Sequence, residues 1–177
     1  MRVSQAMQPI ARLVDELRTS ALANLVIGDA AMVVAAFRAD RPGRAIVLFA
    51  VVTGVLALVS GRFGPNGRVR RELARSAQPA GGTPVEALRA TRRRIIIGLV
   101  PVAIILVVLV GVAPESAAVI AGVPGGVGSG DMWMLGWVRN FERTRGDVAL
   151  REIGSSPFVA SNRPVYTLPM NAETDET

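Results

Sequence analysis

Three side chains are missing from this sequence. Its 177 residues include no cysteine, no histidine and no lysine. Without Cys or His the usual ligands of zinc, haem and iron–sulfur clusters are gone, so no metal and no cofactor are expected. Without His there is no Ser–His triad, and without Lys no Ser–Lys dyad or Schiff base. Acid–base work near neutrality is left to Asp and Glu, and the chain is expected not to be an enzyme. Palmitoyl and lipoprotein anchors also require cysteine. Aromatic residues are scarce, at 5 %, which leaves few platforms for base stacking and argues against nucleic acid as a partner.

What is present is aliphatic, and it comes in blocks. Half of the residues are apolar, mostly Val, Ala, Leu and Ile. Soluble domains of this size are usually less apolar, and the pattern reads as membrane helices. All twenty basic residues are arginine, as a GC-rich bacterial coding sequence would favour, and the net charge is +6. In a membrane protein such an excess gathers on the cytoplasmic side.

Four spans are readable. The first is 21–37, ALANLVIGDAAMVVAAF. Its seventeen residues cover about 25 Å as a helix, short but sufficient. The turn RADRPGR leads to a second span at 45–60, so the two form an antiparallel hairpin. The third, 95–113, is uncharged throughout, with Pro101 expected to kink it. The fourth, 117–137, carries GVPGGVGSG and then Trp133 and Trp137, one turn apart. These tryptophans read as interfacial anchors. Its glycines and proline need shelter from neighbouring helices.

Outside the spans, residues 1–20 repeat apolar side chains at helical spacing (Val3, Met7, Ile10, Val14, Leu17) and predict an N-terminal amphipathic helix. The loop 61–94 holds nine arginines against two glutamates. It predicts one short helix near 68–77. A second would start at a capping box, Thr83 with Pro84 and Glu86, and run through Arg92–Arg94 into the third span. Residues 138–177 form a tail: a short helix over RNFERTRGDVALREIG, then a proline-punctuated extended stretch whose Phe158, Val159, Val165, Tyr166 and Leu168 suit docking, then an acidic, disordered end.

The arginine-rich loop is expected in the cytoplasm, which puts both termini there and makes the chain a multi-pass protein of the cell membrane. The expected fold is thus an all-α, four-helix transmembrane bundle with a basic cytoplasmic loop and an extended C-terminal tail.

Within it, several residues stand out. Asp29 lies mid-span, where a carboxylate costs about 3 kcal/mol on insertion scales. With Asn24 a turn away, it predicts either a polar contact between helices or an ion or proton site. Small residues form two matching stripes, Asn24, Gly28, Ala31 and Ala35 in the first span and Ala50, Gly54, Ala57 and Gly61 in the second. They predict the packing seam of the hairpin. Asp131 is expected near the inner end of the fourth span, facing Arg92–Arg94, and Glu115 in solvent. Arg68, Arg70, Arg71, Arg92, Arg93 and Arg94 are candidates for contact with anionic lipid headgroups or with a partner. The functional expectation is a non-catalytic accessory or assembly subunit, with other membrane-protein subunits or copies of itself as partners. The alternative is a transporter or channel component built on Asp29.

Overall fold

The computed structural model describes residues 9–63, 65–75, 83–153 and 164–169, with side chains at 63 and 65 undescribed. It is 79 % helix, and four long helices carry it. They are α1 (Leu13–Arg38), α2 (Pro42–Leu58), α4 (Leu88–Val112) and α5 (Pro114–Arg145). A π-helical turn, Val59–Phe63, extends α2 towards the short α3 (Pro65–Leu73). Three helices are long and apolar enough to cross a membrane: α1, the helix beginning at Pro42, and α4. Their outer faces are covered with exposed aliphatics such as Val26, Val51, Val107 and Val112. So much exposed apolar surface is not what water selects.

α5 sits at the centre. Its 32 residues run unbroken through Pro124 and the glycines, and α1 and α2 lie on either side of it. The glycines allow this. A methyl group on Gly128 would stand 2.9 Å from the carbonyl oxygen of Ala21 in α1, and one on Gly126 would stand 2.9 Å from that of Thr53 in α2. Where lipid supplies no hydrophobic drive between helices, such backbone approach is what holds them. Gly28 completes the first contact, since a methyl there would meet the backbone nitrogen of Gly125 at 2.8 Å.

The predicted seam is corrected in part. Asn24, Gly28 and Ala35 are buried, but Gly28 faces α5 rather than α2. On α2, Ala50 and Gly54 are exposed, and a methyl on Gly54 would meet nothing. The residues that α2 turns to α5 are larger: Phe49, Val52, Thr53 and Leu56. The glycines sit in α5, so its neighbours on this side keep their bulk. Gly61 is buried against the ring of Trp133. At the far end the helices converge on Ala35, Ala45, Val110, Ala117 and Ala118.

The opposite end is not all-α. Three antiparallel strands, β1 (Ile10–Arg12), β2 (Asp147–Glu152) and β3 (Val165–Pro169), form a sheet in the order β1-β2-β3. Ile10 also bonds the chain before α4: its N–H donates to Pro84 O and its carbonyl accepts from Glu86 N–H. Three local expectations change here. The helix predicted over residues 1–20 starts only at Leu13, because 10–12 pair with β2; residues 1–8 lie outside the described part. The capping box is not used. Thr83–Ala87 is extended, Val85 bridges Ile10, and α4 starts at Leu88. The helix predicted after Trp137 ends at Arg145, where Gly146 takes φ +72° and the chain turns into β2. Pairing with β2 then orders Val165–Pro169 of the tail, whereas Phe158, Val159 and the acidic end lie outside the described residues.

A core of Leu13, Leu17, Leu73, Leu135, Val138 and Ala149 joins α1, α3, α5 and β2 beneath this sheet. Trp137 packs against it and stacks on Phe141 at 5.7 Å between ring centroids, while Trp133 is half exposed.

Candidate functional site

The helix α1 presents two polar faces. Glu16, Ser20 and Asn24 recur every four residues and so form one ridge, and that ridge points inward. The Asn24 amide donates to the carbonyl of Ser20 at 2.9 Å and to its hydroxyl at 3.2 Å. The Ser20 hydroxyl donates to Oδ2 of Asp131 on α5 at 2.6 Å. Asn66 of α3 donates to the other carboxylate oxygen and to the Gly130 carbonyl, each at 3.4 Å. The partners of Asp131 are therefore Ser20 and Asn66, not the expected Arg92–Arg94.

One turn closer to the sheet, Glu16 lies between two guanidinium groups. Arg151 of β2 is 3.6 Å away and Arg94 of α4 is 3.7 Å away. Arg94 also reaches Glu86 at 3.3 Å, and Glu86 accepts the Thr91 hydroxyl at 2.6 Å. Arg151 is 4 % exposed. A buried ion pair contributes little net stability when intact but is costly to break, by about 3–5 kcal/mol, because one charge is then stranded. This chain of charges ties α1, the strand-like segment before α4, α4 itself and β2 to one another.

Glu142, in the last turn of α5, closes the same end. It is buried, and its carboxylate accepts the N–H of Ala149 at 2.9 Å. Burial raises its pKa above the ordinary value, against the lowering pull of that hydrogen bond and of Arg12.

The outward face of α1 is different. Asp29 is exposed among Leu22, Val26 and Val33, which are themselves 46–67 % exposed. It is five residues from Asn24, hence on another side of the helix, and the two do not form one site. Asp29 lies nearer Arg38 than Leu13, and midway along the apolar stretch 21–37 of a helix apolar enough to span a membrane.

Of the candidate arginines, Arg94 is held in internal ion pairs and Arg70 lies over the ring of Trp137 at 4.9 Å. Arg68 has a partner within the protein, whereas Arg71, Arg92 and Arg93 are exposed. At the far end Glu115 pairs with Arg44 at 3.7 Å, an exposed contact of little energy. Sequence reasoning missed Glu16, Ser20, Asn66, Arg151 and Glu142. The fourfold spacing of Glu16, Ser20 and Asn24 was a visible signal; the contributions of Asn66 and Arg151 come from distant segments and left none.

Set against known proteins, the chain matches no family model, no curated protein and no solved structure.

Proposed function

We propose that this chain is a non-catalytic accessory or assembly subunit of a membrane complex. It crosses the cell membrane four times, with α5 as the central crossing and both termini in the cytoplasm. The observation that carries the reading is Asp29, a carboxylate midway along the apolar stretch of a membrane-length helix and on its outward face. Exposed to hydrocarbon alone it would be expensive, by about 3 kcal/mol or more. A partner helix that brings a hydrogen-bond donor or an arginine to the same depth removes that cost. Val33, one turn on from Asp29 and 46 % exposed, supplies apolar contact for such a helix. The exposed Arg71, Arg92 and Arg93 add attraction to anionic headgroups on the cytoplasmic side. An ion-carrying role for Asp29 would need a path completed by that second subunit, since the carboxylate opens away from this bundle.

The test is site-specific photocrosslinking in intact membranes, with the reactive group at Val33, which does not line the groove between α1 and α4. We expect crosslinks from this position to a stoichiometric membrane protein, another subunit or a second copy, and their loss in Asp29→Leu. Adducts to lipid alone would overturn the proposal.

A further inference from the structure

α1 and α4 run beside each other without closing. Between them lies a groove in two stretches, of about 440 and 490 Å³, which share Val26 and Ile27 and are therefore continuous. Small side chains open it: Ala23 and Ala30 on α1, Ala103 on α4. It is open sideways, towards surroundings as apolar as its own walls.

Its mouth, at the sheet end, is charged. Arg18 and Asp15 from α1 and Arg92 from α4 line it beside Leu88, and the continuous apolar lining begins one turn deeper at Leu22 and Ile96. Among the described residues none of the three charges has an ion-pair partner, in contrast with neighbouring Glu16 and Arg94. From Leu22 to Val34 the apolar lining runs for twelve residues of α1, about 18 Å, more than half of a hydrocarbon core of ~30 Å, and Arg38 lines its far end. Two cations and a carboxylate above an apolar channel of that length match the order of groups in one lipid class.

We propose that the α1–α4 groove binds one aminophospholipid, with its phosphate between Arg18 and Arg92, its primary ammonium on Asp15 and an acyl chain along the alanine-lined channel. A phosphatidylglycerol would bring the phosphate without an ammonium for Asp15. A phosphatidylcholine would bring a quaternary ammonium with no N–H to donate. The inference rests on the chain crossing a membrane, but not on the assembly role, because the groove lies on the α4 side of α1 and Asp29 does not line it.

The experiment isolates the chain from membranes in mild detergent and measures retained lipid by native mass spectrometry. Phosphatidylethanolamine, phosphatidylglycerol and phosphatidylcholine are added in turn. The parent is expected to retain one phosphatidylethanolamine in preference to the others. Arg18→Gln with Arg92→Gln weakens retention about thirty-fold, since each arginine near an anionic surface contributes a factor of about five. Asp15→Asn abolishes the preference for phosphatidylethanolamine over phosphatidylglycerol while the thermal unfolding of the variant in detergent stays that of the parent. Ala103→Leu, which fills the channel, lowers retention of all three lipids. Equal retention of the three by the parent, or an unchanged ratio in Asp15→Asn, overturns the site while leaving the membrane reading intact. Recovery of the parent in the soluble fraction removes the membrane premise and the site with it.

Discussion

Two carboxylates on α1 lie thirteen residues apart and have opposite surroundings. Glu16 is enclosed between Arg94 and Arg151, whereas Asp29 faces outward. Glu142 shows what enclosure does to proton affinity. Its burial holds the proton more tightly in the folded chain than in the unfolded one. Below the ordinary value of 4.5 both states are protonated and nothing differs. As the pH rises from there through the raised folded-state value, the unfolded chain releases its proton first and stability falls. We therefore expect unfolding in detergent to show the parent losing stability over that rise. Glu142→Gln keeps an acceptor for the Ala149 N–H and flattens the profile. Parallel profiles for the two proteins would show that Glu142 is not the group responsible.

Among the elements, α5 is the one whose composition argues most against a helix and whose position most requires it. A glycine costs up to about 1 kcal/mol relative to alanine inside a helix, and Pro124 removes one backbone donor. What offsets this is closeness to α1 and α2 on both flanks. The effect of adding a methyl group therefore depends on position rather than on helix propensity. At Gly126 it would lie 2.5 Å from Cβ of Leu56, whereas at Gly136 it meets nothing within 4 Å. Gly126→Ala is expected to destabilise the bundle by about 1–3 kcal/mol through overpacking. Gly136→Ala is expected to stabilise it by up to about 1 kcal/mol. Thermal unfolding of the two variants in one detergent checks the pair, and equal shifts of the same sign would refute the packing argument. The same closeness explains why α5 is not among the helices apolar enough to cross a membrane by themselves. A helix with neighbours on both sides turns less of its surface outward.

At the scale of the molecule, the sheet decides which ends of the helices lie together. β1 precedes α1, and β2 follows α5 and pairs with it, so the chain enters and leaves the bundle at the same end. The segment before α4 bonds the same strand. The proposed four crossings agree with this connectivity, and with the arginine-rich loop at that end the proposed orientation is termini inside. Reporter fusions at Glu115 and after Thr177 check it. The Glu115 fusion is expected to report the outer side and the C-terminal fusion the cytoplasm. A C-terminal reporter on the outer side would contradict the four-crossing arrangement.

Much of this was legible in the residues. Blocks of aliphatics marked the membrane-length helices, because a span must satisfy its backbone internally and clothe it in apolar side chains. The uninterrupted path of α4 through Arg92–Arg94 was legible too, since nothing there breaks a helix. Local patterns misled where a partner distant in sequence competed for the backbone. Ile10 sits on a helical spacing yet pairs as a strand, and Thr83 with Glu86 spells a cap yet lies extended beside Ile10. In the small-residue stripe of α1, Gly28 meets α5 rather than the expected α2, because a glycine records that a backbone comes near and not which one. Sequence alone thus determined that the chain builds apolar helices with basic flanks and holds no Cys, His or Lys. Only the tertiary structure decided that α5 stands between α1 and α2, that a sheet gathers both ends of the chain, and that Asn24 turns inward while Asp29 turns out. Those outcomes depend on contacts between residues far apart in the chain, such as Thr53 with Gly122 and Ser20 with Asp131, and no local pattern carries them.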